Sequence, residues 1–209
     1  MARFTAGING PFTGRVGPVV GSSWKGIPYM KAKYRKRTKN ISDKEKANRI
    51  KFAKAQEWLQ PLLKFVREGF KGYSPTSEGF VAAKSYLLKN AMEGEAPDFR
   101  INPSKMQVSF GDLPLSDNMA VELLADGRLQ FSWDTNYIDG ASQFDQVMLL
   151  AYNIERNHAE FLTTGRFRSD GADELPIPPS TGTWHLYLAF NADDRSKQSH
   201  SVYMGEIVV

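Results

Sequence analysis

The residues with the clearest chemical purpose lie between Lys31 and Lys39, where KAKYRKRTK places six cations in nine positions. Lys31, Lys33, Arg35, Lys36, Arg37 and Lys39 could neutralise about six phosphates, giving a salt dependence of slope near −5 on a log–log plot. Trp24, Tyr29 and Tyr34 stand close by with flat rings on which bases stack, and Lys25 adds a further cation. No base-reading motif accompanies them, so the pattern implies sequence-independent contact with a polyanion such as nucleic acid. The same cations would also suit an acidic protein surface, on this chain or another, or a face turned to water.

Other chemistry is thinly represented. Without a single cysteine there are no disulfides, thiolate metal sites or thiol nucleophiles. The three histidines, His158, His185 and His200, show no ligand spacing. Gly21-Ser-Ser-Trp-Lys-Gly26 is glycine-flanked like a phosphate loop, but lacks its spacing and its strand-then-helix frame. The acidic doublets Asp173–Glu174 and Asp193–Asp194 fall in expected loops, where calcium ligation is conceivable and solvated turn residues are the commoner outcome. No catalytic residue, metal site or cofactor is therefore expected, and the chain reads as non-enzymatic.

The elements that must position the basic run carry an asymmetric charge. Residues 1–71 hold 17 Lys/Arg and 4 Asp/Glu, a net +13, whereas residues 72–209 hold 10 and 19, a net −9. Such a split points to nucleic acid, a membrane surface or an acidic partner. No apolar stretch reaches the ~18 residues of a membrane span, and residues 1–20 lack a signal-peptide core. Cytoplasmic synthesis without a signal peptide is the resulting expectation.

Residues 1–30 are punctuated by glycine and proline, which predicts an extended arm with short β pieces around Val16–Val20 and Ile27–Met30. Phe4, Ile8, Phe12, Val19, Val20 and Trp24 are its candidate anchors. Ser42 with Glu45 reads as a capping box, opening a stripe of Phe52, Ala55, Leu59, Leu62 or Leu63, Val66 and Phe70 that Pro61 interrupts. A further helix is expected from Thr76 or Ser77 to Met92. Beyond Asp98 the period changes to two. Leu129, Phe131 and Trp133 alternate with polar residues, as do Trp184, Leu186, Leu188 and Phe190 with His185, Tyr187 and Ala189. Val147–Tyr152 is apolar on both faces and reads as a central strand. The expected fold is α+β: arm and basic run over 1–41, a helical region over 42–97, and an antiparallel β-sandwich over 98–209.

Two resemblances follow. GRLQFSWD (Gly127–Asp134) and ELPIPPSTGTWHLYLAFN (Glu174–Asn191) resemble the second strand and the E–F corner of fibronectin type III domains, with Trp133 in the core and Trp184 where that family carries tyrosine. That likeness implies an immunoglobulin-type interaction or spacer module. Over nearly its whole length the chain resembles an uncharacterised bacterial family, found mainly in Bacteroidota, through Gly7–Lys31, Arg49–Leu63 and the closing SVYMGEIVV. The combined expectation is a subunit of a larger homo- or hetero-oligomeric assembly, virion-like or at a surface, docking through its basic N-terminal region. Self or another protein is the expected partner, and sequence-independent nucleic-acid binding is the alternative.

Overall fold

The computed structural model describes residues 3–4, 7, 10–36, 38, 40–178 and 182–209. It is mixed α+β and divides into two compact units, Met1–Ser42 and Asp43–Val209.

The first unit is a small antiparallel sheet in which each strand pairs with the next: β1 (Arg3–Phe4), β2 (Phe12–Val16), β3 (Val19–Trp24) and β4 (Ile27–Ala32). The β piece expected around Val16–Val20 is the end of β2 and the start of β3, joined by a turn at Gly17 and Pro18, because Pro18 fixes φ and Gly17 takes φ 54°. Lys25 and Gly26, at φ 47° and 81°, form the two-residue loop between β3 and β4, a pairing of angles that suits the right-handed twist of a hairpin. Gly21 is there for space. A Cβ on it would lie 2.1 Å from the Phe12 carbonyl oxygen and 2.6 Å from the Phe12 ring.

The second unit begins with α1 (Asp43–Leu59) and α2 (Leu63–Gly69), separated where Pro61 cannot donate a helical hydrogen bond. α3 (Gly79–Tyr86) continues through a π turn, Leu87–Ala91. Ala55, Leu59, Leu62, Val66 and Phe70 are buried as the stripe predicts, but Phe52 is exposed and Trp58 is buried in its place. Gly69 lets α2 approach the 108–110 segment, where a Cβ would lie 2.4 Å from the Val108 carbonyl oxygen. Phe110 N–H donates to the Gly69 carbonyl at 2.8 Å.

A short ribbon follows, β5 (Met92–Glu93) with β6 (Arg100–Ile101), and then seven longer strands. These are β7 (Ala120–Leu123), β8 (Arg128–Ser132), β9 (Gln146–Asn153), β10 (His158–Leu162), β11 (Ala172–Pro176), β12 (Thr183–Asn191) and β13 (Val202–Val208). They make a four-stranded sheet ordered β10-β9-β12-β13 and a three-stranded sheet ordered β11-β8-β7, with antiparallel pairing throughout.

Successive side chains of a strand face opposite ways, and both faces of the four-stranded sheet are covered. Val147, Leu149, Leu186, Leu188 and Phe190 share one core with Leu129 and Phe131 of the smaller sheet and with Trp133 just after β8. Met148, Leu150, Tyr152, Tyr187 and Ala189 share another with the helices. Trp58 meets Tyr152 edge-on at 5.0 Å, and Phe65 meets Phe161 at 6.1 Å. The face of β12 holding Tyr187 and Ala189, expected to be the solvent-facing side, is therefore buried under the helices. Residues 43–97 and 98–209 meet across this shared core.

Candidate interface on the N-terminal sheet

Cross-strand partners point to the same side of a sheet, so the register of the first unit sorts its side chains into two unlike faces. Phe4, Phe12, Val16, Val19, Pro28, Met30 and Ala32 share one face with Gly14, Gly21 and Ser23, and none of them is charged. The Phe4 and Phe12 rings meet at 5.6 Å. Much of this face is open: Phe4 is 50% exposed, Val16 49% and Met30 71%. A shallow cavity of about 290 Å³ lies at this part of the sheet, lined by Gly10, Pro11, Phe12, Pro28 and Met30 together with Tyr29 of the other face.

The opposite face carries Arg3, Arg15, Trp24, Ile27, Tyr29 and Lys31 around Val20 and Ser22. Lys31 holds its ammonium 5.7 Å from the centre of the Tyr29 ring, and Lys25 at the hairpin tip holds its own 5.5 Å from Trp24. Hydrogen bonding with Ser22, its partner across the strands, lowers the Tyr29 pKa, and the Lys31 charge adds to the effect. Arg15 donates from Nε to the Gly17 carbonyl at 3.1 Å, tying the β2–β3 turn.

Of the residues expected to bind a partner, Trp24, Tyr29 and Lys31 are brought together on this face, with Lys25 beside them. Lys33, Tyr34, Arg35 and Lys36 follow β4 in exposed chain without regular structure, although Lys33 N–H still donates to the Pro18 carbonyl at 2.7 Å. Arg37 and Lys39 lie outside the described residues, as does the expected anchor Ile8. Arg3 and Arg15 were missed by the sequence reading because only the strand register places them with Lys31. The signal available was the alternation in FTGRV and IPYMKA, blurred by glycines that contribute no side chain.

Residues 1–42 contain nine Lys/Arg and no Asp/Glu, a net +9, while the remaining 167 residues hold 18 and 23, a net −5. The boundary between the two units is thus also a boundary of charge.

The other motifs resolve into local structure. Gly21–Gly26 is strand and hairpin loop. Asp173 and Glu174, expected in a loop, lie instead in β11; Asp173 accepts from Arg166 N–H at 2.8 Å and from Glu174 N–H at 2.8 Å, and Asp194 accepts from Ser196 N–H at 2.9 Å. His158 pairs with Glu160 at 3.0 Å, His185 meets the Tyr203 hydroxyl at 2.9 Å, and His200 meets Phe110 edge-on at 4.5 Å. Among the described residues no group of three His, Asp or Glu side chains is placed to hold a metal ion. No helix among them is long and apolar enough to cross a membrane.

Against known proteins, residues 11–205 match DUF6266, a family of unknown function, and the chain belongs to it. No curated protein and no solved structure matches the chain.

Proposed function

We propose that this protein is a non-enzymatic assembly subunit whose N-terminal sheet docks onto the acidic 43–209 unit of a second copy. The observation that carries this reading is the open, charge-free face of Phe4, Val16 and Met30 on a unit of net +9. Contiguous apolar surface of this kind marks an interaction site rather than ordinary surface. Opposite charge on the two units favours contact between copies in a head-to-tail sense, and such heterologous contacts close into rings or extend as filaments. A virion-like or surface assembly fits that geometry.

The test is light scattering on the full chain during size exclusion, with absorbance read at 260 and 280 nm. The expected result is a mass several times 23.5 kDa that falls to one copy in Val16→Asp or Met30→Asp. A wild-type monomer at tens of micromolar would end the reading.

A second reading rests on the opposite face. Lysines set over the Trp24 and Tyr29 rings beside Arg3 and Arg15 supply the cations and stacking platforms that a single-stranded nucleic acid uses. Co-purifying material with a high 260/280 ratio, displaced by salt, would put this function first.

We also infer an immunoglobulin-type sandwich, of the fibronectin type III kind, for the 106–209 segment. Lettered A, B, C, C′, E, F and G in chain order, β7 to β13 fall into sheets A–B–E and C′–C–F–G. That division supports the likeness, since immunoglobulin sandwiches place A, B and E in one sheet and C, F and G in the other.

A further inference from the structure

A second site lies at the end of the two larger sheets, in the 134–145 loop between β8 and β9, far in sequence from the basic arm. We propose that this loop forms a binding site for an uncharged saccharide.

The loop encloses a cavity of about 340 Å³, lined by Thr135, Asn136, Tyr137, Ser142, Gln143 and Ser169 with aliphatic neighbours. That is the lower range of small-molecule sites. The polar groups facing it are hydroxyls and carboxamides, each able both to donate and to accept. The chemistry of a sugar matches this supply, because every sugar hydroxyl also does both. Tyr137 is 88% exposed at the rim. Its ring offers a flat apolar face with a polar tip, suited to the C–H face of a pyranose. Two more exposed aromatics, Phe144 and Phe167, meet edge-on at 6.1 Å and stand next in sequence to the lining residues Gln143 and Arg168.

Charge argues for a neutral ligand. No Asp, Glu or Lys lines the cavity, and its single ionised group is Arg168. Both terminal nitrogens of that guanidinium are held by the protein, while its buried Nε has no hydrogen-bond partner. Nη1 donates to Ser116 Oγ and Nη2 to the Pro114 carbonyl, both at 2.8 Å. Nη2 also lies 3.3 Å from the buried Asp145 carboxylate, and the group sits 3.9 Å from the centre of the Phe190 ring. An anionic ligand finds no exposed cation in the lining, because Arg168 is buried, and a cationic one finds no carboxylate among the lining residues.

The site is built before a ligand arrives. Ser142 N–H donates to Asp145 Oδ2 at 2.9 Å, Arg168 N–H to the Asp145 carbonyl at 2.7 Å, and Ser169 N–H to the Gln143 carbonyl at 3.1 Å. The loop is therefore fixed without helix or strand, and pre-ordering of this kind lowers the entropy cost of binding. Arg168 and Asp145 are positioning residues in this scheme, since they hold the loop.

Saturation-transfer NMR on the full chain tests the proposal. The probes are glucose, galactose, mannose and N-acetylglucosamine, the β-1,4-linked tetramers of glucose, mannose and N-acetylglucosamine, and the charged comparators glucuronic acid and glucosamine. Transfer to at least one neutral saccharide is expected, weakened at least tenfold in Tyr137→Ala and in Asn136→Ala. It should be unchanged in Phe52→Ala, which removes an exposed ring from α1. Preference for a tetramer over its monomer would identify a glycan chain as the ligand, and equal binding a free sugar. No transfer to any neutral saccharide, transfer that survives Tyr137→Ala, or tighter binding of either charged sugar would overturn the proposal. The outcome is independent of whether the chain self-associates.

Discussion

Single residues separate what composition can suggest from what only packing decides. Gly21→Ala drives a Cβ into the Phe12 carbonyl and ring, an overpacking beyond the usual cost of about 1–3 kcal/mol. The first unit is expected to open while the second keeps its thermal transition, which limited proteolysis across 17–32 would report. Arg168 is 3% exposed and Asp145 1%. Desolvation lowers the Arg168 pKa, and the Asp145 charge opposes that shift. Asp145→Ala leaves the guanidinium buried without its anion and is expected to cost about 3–5 kcal/mol in urea unfolding. Asp145→Ala with Arg168→Met should cost less than the two single changes summed. Burial of His185 lowers its pKa from the usual 6.5, against the opposing pull of Glu206 and Glu155. Above pH 6.5 the resulting stabilisation is fully present. As the pH falls below it, the unfolded chain takes up a proton that the native ring refuses, and stability is lost. His185→Gln should therefore show a smaller drop between pH 7.5 and 5.5 than wild type in urea melts. None of these environments was legible from the sequence. His185 stands on the strand side that alternation assigns to solvent, and Arg168 looks like an ordinary loop cation until its surroundings are known.

Local chemistry made several elements readable. Pro61 divides α1 from α2 because a proline cannot continue the hydrogen-bond ladder, and Val147–Tyr152 reads as a two-sided strand because nothing in it is polar. Phe52 was misassigned because a stripe at positions 3 and 4 apart does not say how wide the buried face is, and Trp58 widens it. The N-terminal sheet was harder, since glycines erase the alternation on which strand reading depends. Its register also bears on how β4 meets a partner. Lys33 N–H points back to Pro18, so Pro28, Met30 and Ala32 turn their backbone groups to the free edge of β4. Pro28 has no N–H to offer there, which blunts strand addition at that edge. Pro28→Val is accordingly expected to raise edge-to-edge association, seen as concentration-dependent growth of light scattering, without changing the mass of the specific assembly. In the larger unit, Leu150 lies between sheet and helices, and Leu150→Ala should cost about 2–5 kcal/mol.

At the scale of the whole chain, charge and fold change together near Ser42. Contacts between a unit of net +9 and one of net −5 weaken with salt. Self-association measured by light scattering is expected to fall between about 50 and 500 mM salt, the range over which the Debye length shortens from ~13 to ~4 Å. This division was half visible in the sequence: the charge asymmetry was plain, but its edge was drawn at Lys71 because the basic face of α1 extends the run. The covering of the four-stranded sheet on both sides was not legible, since alternation reports the period of a strand and not the number of layers around it.

That double covering has a consequence during synthesis. The run Val147–Tyr152 emerges from the ribosome 30 residues ahead of β12, its central partner, a delay of about 1.5–6 s at ~5–20 residues per second. Until then the helices and β8, already made, can cover its faces, but the edge that pairs with β12 stays open. A six-residue apolar stretch of high β propensity in that state is a nucleus for aggregation.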